Sequence, residues 1–352
     1  MTTNPLAHQP TEPFTEESPS PGPDGSMRAI LQASYGPVEA LREGRIERPS
    51  IKADEVLIRV QAAGLDRGTW HSMTGKPYLM RIMGFGFRRP KNRVVGLDVA
   101  GTVVAVGSEV TRFVEGDEVF GISRGSFAEY AVAREDKLAA KPVGTSFVEA
   151  AVVPISGITA LQAVRDAGRV QAGQHVLVIG ASGGVGTYAV QLAKAFGAEV
   201  TGVSSSQKTD LVRSLGADHV VHYSHQDFAD GRRRYDVILD IGGNSSLSRL
   251  RGALTDTGTL VIVGGESRGS LTGGFGRQLR AVALSPFLRQ RLTMQMTKER
   301  YQDIEKLTEL LAAGRLSPSI DRTFSLSEAP DAMRHLEAGH VRGKVAITIP
   351  TS

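Results

Sequence analysis

Residues 180–186, GASGGVG, carry the spacing with the plainest chemistry in this 352-residue chain. They read A-x-G-x-x-G, with Ala181, Gly183 and Gly186 at the marked positions and Gly180, Ser182, Gly184 and Val185 completing the turn. Glycine allows a tight turn and close approach of backbone to a pyrophosphate, and the first N–H groups of a following helix hold the phosphates. An apolar run, His175 to Ile179, precedes the turn, and Val185, Ala189, Leu192, Ala193 and Phe196 recur on one helical face after it. Strand, glycine turn and helix together make the motif a dinucleotide site rather than a merely glycine-rich connection. An NAD enzyme would place an acid about 20 residues further on, at the ribose 2′-hydroxyl. Here the strand VTGV ends in Ser204-Ser205-Ser206-Gln207-Lys208, without an acid. Hydroxyls and one cation suit a 2′-phosphate, so the cofactor expected is NADPH; the same serines can also cap the next helix.

Other chemistries are excluded by composition. With no cysteine, the chain has no disulfide, no thiolate nucleophile and no cysteine-based zinc or iron–sulfur site. This suits a reducing, cytoplasmic setting. His219, His222 and His225 cluster, but period-2 geometry at a strand end sends the first two to opposite faces, so no metal site is expected. The net charge is +4. Its densest run, Arg232-Arg233-Arg234, reads as a solvated loop, not as a nucleic-acid patch. No apolar run approaches the ~18 residues of a membrane span.

The elements that must position these groups fall into two styles. Residues 1–26 are polar, Pro- and Glu-rich and without periodicity, and are expected to be a disordered extension. From Met27, short alternating strands with glycine turns predict a barrel-like β unit. Its insertion, residues 78–92, reads equally as a packed loop or as a wall of a substrate pocket. After residue 145, strands at 175–179, 200–203, 219–221, 236–240 and 259–263 alternate with helices near 147–167, 184–197, 207–215 and 246–254. That alternation predicts a parallel, doubly wound sheet. Residues 298–313 predict an amphipathic helix, and the final VAITI predicts a strand returning to the first unit.

The order of GLDVAGTVVAVGSEVTRFVEGDEVFG, AAVVPISGITALQAV, VLVIGASGGVGTYAVQLAKAFGAEVTGV, GTLVIVGG and RGKVAITI resembles the medium-chain dehydrogenase/reductase superfamily. Within it, the chain is most similar to the zinc-independent quinone oxidoreductase branch that includes Nogo-interacting mitochondrial protein-like sequences. The resemblance implies a GroES-like β-barrel catalytic domain, residues 27–154 and 298–352, and a Rossmann NADP(H)-binding domain, residues 155–297. It implies hydride transfer to a quinone or an α,β-unsaturated carbonyl, with a pathway enoyl reductase or an NADPH-binding sensor as alternatives. It assigns the 2′-phosphate to Lys208 and Tyr223, the nicotinamide end to Thr159, and further contacts to Gly242, Gly243, Gly264 and Gly265. Where zinc-dependent relatives place Cys and G-H-E, this chain has Leu65 and Gly96-Leu97-Asp98. The acceptor is expected near GLDRGTWHSMTG, with His71 as a hydrogen-bond or proton donor, Trp70 as a stacking surface and Asp66 nearby. The segment RLTMQMTK, 291–298, is expected to pair two copies into a homodimer.

Overall fold

The computed structural model describes residues 25–79, 81–82, 86–264 and 275–350. The expected N-terminal extension therefore lies, but for Gly25 and Ser26, outside the described residues, as does Gly265.

Strands β1 (Ser26–Gln32) and β2 (Leu41–Glu47) pair antiparallel. Strand β3 (Glu55–Leu65) is the spine of the first large sheet. It pairs with β4 (Asp98–Val106) and β6 (Tyr130–Arg134), while β5 (Glu118–Ile122) joins β4 to β7 (Leu138–Ala140). Register shifts at Leu57/Ile58 and Val60/Ala62 bend β3, as curvature of a small barrel requires. Directly after β3, helix α1 (Arg67–Thr74) starts at Asp66 and stops at Gly75, whose φ of +60° ends the helix in the left-handed region.

The expected helix over 147–167 is two helices and a π turn. Helix α2 (Phe147–Ala151) has a Ser146–Glu149 capping box, and Pro154, which lacks an N–H, begins the separate helix α3 (Pro154–Gln162). A π-helical turn over Ala163–Ala167 follows.

Strands β8 (His175–Ile179), β9 (Glu199–Ser204), β10 (His219–His222), β11 (Tyr235–Asp240), β12 (Leu254–Ile262) and β13 (Arg291–Met294) form one sheet in the order β10-β9-β8-β11-β12-β13, parallel throughout. The order reverses between β8 and β11, and ligands of such sheets bind at that switch point, beyond the carboxyl ends of the strands. Helices α4 (Gly184–Ala195), α5 (Thr209–Ser214), α6 (Leu247–Ala253) and α7 (Phe275–Leu284) connect them. The expected helix over 207–215 is shorter, because Ser206–Lys208 forms a 3₁₀ turn.

Helix α8 (Tyr301–Ala312), strand β14 (Ile320–Ser325), helix α9 (Ala329–Glu337) and strand β15 (Lys344–Thr348) complete the chain. β15 returns to pair with β3, as the terminal VAITI predicts. Ile304, Leu307 and Leu310 of α8 share one apolar core with Ile158 and Leu161 of α3, Val176 and Val178 of β8, and Ala62 and Ala100 of the first sheet. The two sheets are thus joined by continuous buried apolar surface.

Candidate functional site

The glycine turn is stitched to its neighbours through backbone atoms. Gly180 and Ala181 N–H donate to the Val203 carbonyl at 3.2 and 3.1 Å, and Ile241 and Gly242 N–H donate to the Ile179 carbonyl, both at 3.0 Å. Gly180 has φ +86°. A Cβ on Gly186 would lie 2.0 Å from the Gly180 carbonyl oxygen, so helix and strand meet there only because residue 186 has no side chain. A Cβ on Gly202 would meet Ala181 Cβ at 3.1 Å and Val212 Cγ1 at 2.4 Å, which is how the motif tolerates alanine at 181. Helix α4 has Gly183 as N-cap and no side-chain cap, so its first-turn amides at Gly184, Val185 and Gly186 form an uncapped positive end. This cradle fits a pyrophosphate.

The residues expected at the adenosine side lie at the ends of β9 and β10. Ser204 is buried, its Oγ donating to the Ser205 carbonyl at 3.2 Å, and Tyr223 N–H donates to the Ser204 carbonyl at 3.3 Å. The Tyr223 side chain is 64% exposed. Lys208 Nζ donates to the Val341 carbonyl at 2.8 Å. Burial lowers the Lys208 pKa; Asp321 opposes that and the nearby Arg342 adds to it. Asp321 is itself held by His335 Nε2 at 2.6 Å. The C-terminal segment also reaches the turn, Gly343 N–H donating to the Ser182 carbonyl at 2.9 Å. Sequence reasoning read this segment as RGKVAITI, a strand returning to the first unit, and missed its contact with the turn. Its signal was Gly343, at φ +97°, where a Cβ would lie 2.3 Å from the Ser319 carbonyl.

Thr159, expected at the nicotinamide end, donates from Oγ1 to the Ile155 carbonyl at 2.7 Å and stands 3.0 Å from Thr297 Oγ1. Gly264 N–H donates to the Asp240 carbonyl at 3.1 Å, and a Cβ on Gly264 would meet the Ile241 carbonyl at 2.0 Å. Asp240 is fully buried; its Oδ1 accepts from Gly243 N–H at 3.1 Å and its Oδ2 is 2.5 Å from Arg277 Nη1. Burial raises the Asp240 pKa and Arg277 opposes the rise.

Asp66, Trp70 and His71, expected at the acceptor, lie together on helix α1 and its N-cap, and each is already engaged within the protein. Asp66 is the N-cap of α1, its Oδ1 accepting from Thr69 N–H at 2.8 Å; Oδ2 is buried without a hydrogen-bond partner among the described residues. Trp70 Nε1 donates to Glu337 Oε1 of α9 at 2.7 Å, so this indole also ties α1 to the C-terminal helix. His71 Nδ1 lies 2.6 Å from the Lys76 carbonyl. A carbonyl can only accept, so Nδ1 carries hydrogen and the neutral ring has its lone pair on Nε2. Between residues 78 and 92, the Arg81 guanidinium lies 4.3 and 4.6 Å from the Tyr35 and Tyr78 ring centroids, while Ile82 and Phe87 are exposed.

A buried charge pair under the glycine turn was not foreseen. Lys344 Nζ donates to Ser156 Oγ at 3.0 Å and lies 3.7 Å from Asp98 Oδ2, both charged side chains being essentially inaccessible. Asp98 Oδ1 accepts from Ile155 N–H at 3.0 Å, which joins β4 to the start of α3. Burial pushes the Asp98 pKa well up; Lys344 opposes this and Asp66 reinforces it. Leu65 offers no donor atom and Asp98 is taken up by Ile155 and Lys344, so the donor set of a catalytic zinc does not fit these positions. Among the described residues no three His, Asp or Glu are grouped to hold a metal ion. β10 sends His219 to Glu199 at 2.8 Å and His222 to Thr209 at 3.2 Å.

Two family profiles match: the alcohol dehydrogenase GroES-like domain over residues 52–143 and the zinc-binding dehydrogenase domain over residues 215–347. The chain is 35% identical over 350 residues to a 2-methylene-furan-3-one reductase of Solanum lycopersicum, covering 94% of this chain and 81% of that protein. It is 31% identical over 376 residues to the mitochondrial NAD(P)H oxidoreductase RTN4IP1 of Mus musculus, covering 97% and 93%. A quinone oxidoreductase structure from Coxiella burnetii superposes with a TM-score of 0.81 at 29% identity, covering 92% of this chain and all of that one. The chain belongs to the medium-chain dehydrogenase/reductase superfamily, in its quinone oxidoreductase branch. It is an oxidoreductase that uses a nicotinamide cofactor.

Proposed function

We propose that this chain is a zinc-independent, NADPH-dependent reductase of quinones or α,β-unsaturated carbonyls. The observation that carries the cofactor choice is the end of β9: Ser204 and Ser205 with Lys208 and Tyr223 close by, and no acid among residues 204–208 to repel a 2′-phosphate. Gly180 to Gly186 hold the pyrophosphate on backbone amides, with Gly242 and Gly264 lining the crevice towards Thr159. When bound, the reduced nicotinamide supplies the hydride. The chain's own task is to orient the acceptor and meet the charge that develops on its oxygen. His71 is the residue assigned to this: Nδ1 is anchored on the Lys76 carbonyl, and Nε2 is the ring atom that would serve as the hydrogen-bond or proton donor to the acceptor. Trp70 and Asp66 set the helix that carries His71, through Glu337 and the N-cap.

The reading divides the chain into a barrel unit, residues 27–154 and 298–352, and a coenzyme unit, residues 155–297. It makes the protein a homodimer through β13, an edge strand of its sheet flanked by the exposed Leu279, Phe287 and Met296. No described helix is long and apolar enough to cross a membrane, and the cysteine-free chain suits the reducing cytoplasm; the named relatives include mitochondrial and chloroplastic proteins.

Loss of nicotinamide absorbance, followed with NADPH and NADH across ortho-quinones, para-quinones and enones, with and without a chelator, tests the reading. Chelator-insensitive turnover favouring NADPH is the expected result. Preference for NADH would overturn the roles of Lys208 and Tyr223, and tight NADPH binding without turnover would make the protein a sensor.

A further inference from the structure

Between β13 and α8 the chain crosses back over α3 in residues 295–300, and one side chain of α3 holds it. Gln162, 3% exposed, uses its whole amide: Nε2 donates to the Lys298 carbonyl and to Asp303 Oδ2, both at 2.7 Å. Its Oε1 accepts from Lys298 N–H and from Gln295 Nε2, both at 3.0 Å. A primary amide offers two donors and two acceptor sites, and all four are engaged. Arg165 and Arg300 converge on the same Asp303, at 2.7 and 3.0 Å, so the crossing is anchored in buried, satisfied polar groups.

This anchoring fixes Thr297, the residue before Lys298, against Thr159, one helical turn before Gln162. Their hydroxyl oxygens are 3.0 Å apart. Thr159 has one hydroxyl hydrogen, and the Ile155 carbonyl, at 2.7 Å, can only accept it. The hydroxyl hydrogen between the two threonines is therefore supplied by Thr297, and Thr159 Oγ1 keeps a lone pair but no hydrogen for a ligand. We propose that Thr159, its hydrogen held by the Ile155 carbonyl and one lone pair filled by Thr297, meets the cofactor as a hydrogen-bond acceptor, matched to the amino group of the nicotinamide carboxamide rather than to its carbonyl, and that Thr297 is the positioning residue that holds the remaining lone pair in one direction. The inference rests on Thr159 lying at the nicotinamide end of the crevice, and it deepens that reading by giving the contact a polarity.

The test is calorimetric titration of the full chain with NADPH and with its 3-acetylpyridine counterpart, in which a methyl ketone replaces the carboxamide and the N–H donors are gone. The unaltered protein is expected to bind NADPH about 3- to 10-fold more tightly, the range for one neutral hydrogen bond. Thr297→Val should bring the ratio close to one, and Thr297→Ser, which keeps the hydroxyl, should restore it. A merely structural role would weaken both nucleotides equally and leave the ratio unchanged, which would overturn the proposal. A ratio near one in the unaltered protein would overturn the acceptor polarity. Should Thr159→Val abolish the preference while Thr297→Val keeps it, Thr159 stays at the nicotinamide and only the role of Thr297 fails. Should Thr159→Val leave the preference intact, Thr159 is not at the nicotinamide end and the underlying reading fails with it.

Discussion

In the proposed reading the glycine turn and helix α1 serve one reaction with opposite materials. In the turn the working atoms are backbone amides, and what positions them is the lack of side chains at Gly180 and Gly186. In α1 the working atoms are side-chain tips, each already held within the protein: Trp70 by Glu337 of α9, His71 by the Lys76 carbonyl just past the helix, and Asp66 by the first turn it caps. A backbone site should tolerate no added atom at its closest approach yet be indifferent to side-chain polarity. A side-chain site should keep its fold through a substitution and lose only its chemistry.

The largest expected effect breaks the turn. Gly186→Ala puts a Cβ 2.0 Å from a carbonyl oxygen that cannot move without displacing β8 or α4. Overpacking of this kind costs about 3 kcal/mol, so NADPH and NADH affinity should each fall roughly 100-fold in titrations, with a lower Tm. Unchanged affinity would mean the amides of α4 do not hold the phosphates. The next effect separates the two regions: His71→Gln should lower kcat about 100-fold, the lower end of what a general acid supplies, while NADPH affinity and Tm stay constant. A parallel loss of NADPH affinity would erase the distinction between them. The smallest effect sharpens the adenosine side. Burial and Arg342 lower the Lys208 pKa against the pull of Asp321, so the ammonium is lost below the ordinary lysine value of 10.5. The charged form is the one that binds a 2′-phosphate; NADPH affinity should therefore be full at neutral pH and weaken as pH rises through that lowered pKa. NADH affinity should stay flat over the same window, and equal pH profiles for the two would remove Lys208 from the site.

The coenzyme crevice was the more legible region because its determinants are local. An uninterrupted apolar run, a glycine turn and a period-3.6 helix lie within 175–196, and their geometry follows from the backbone alone. The acceptor side was legible only as a set of residue types. Nothing in GLDRGTWHSMTG announces that Trp70 bonds Glu337 or that Asp66 is a cap facing a second buried acid, Asp98. The helix over 147–167 was misjudged as continuous for a different reason: its apolar periodicity runs through Pro154, whose missing N–H restarts the helix.

The sequence by itself determined the alternation of β and α elements, the strand, glycine turn and helix over 175–196, the acid-free end of β9 and the absence of thiol chemistry. Each depends on residue type at short spacing, where steric preference and periodicity act. Only the tertiary structure decided that Gly343 seats on Ser182, that Lys344 is buried beside Asp98, and that Gln162 grips Lys298. Those contacts join residues far apart in the chain. They exist because β15 returns to β3 and residues 295–300 cross α3, so packing rather than local propensity brings their atoms together.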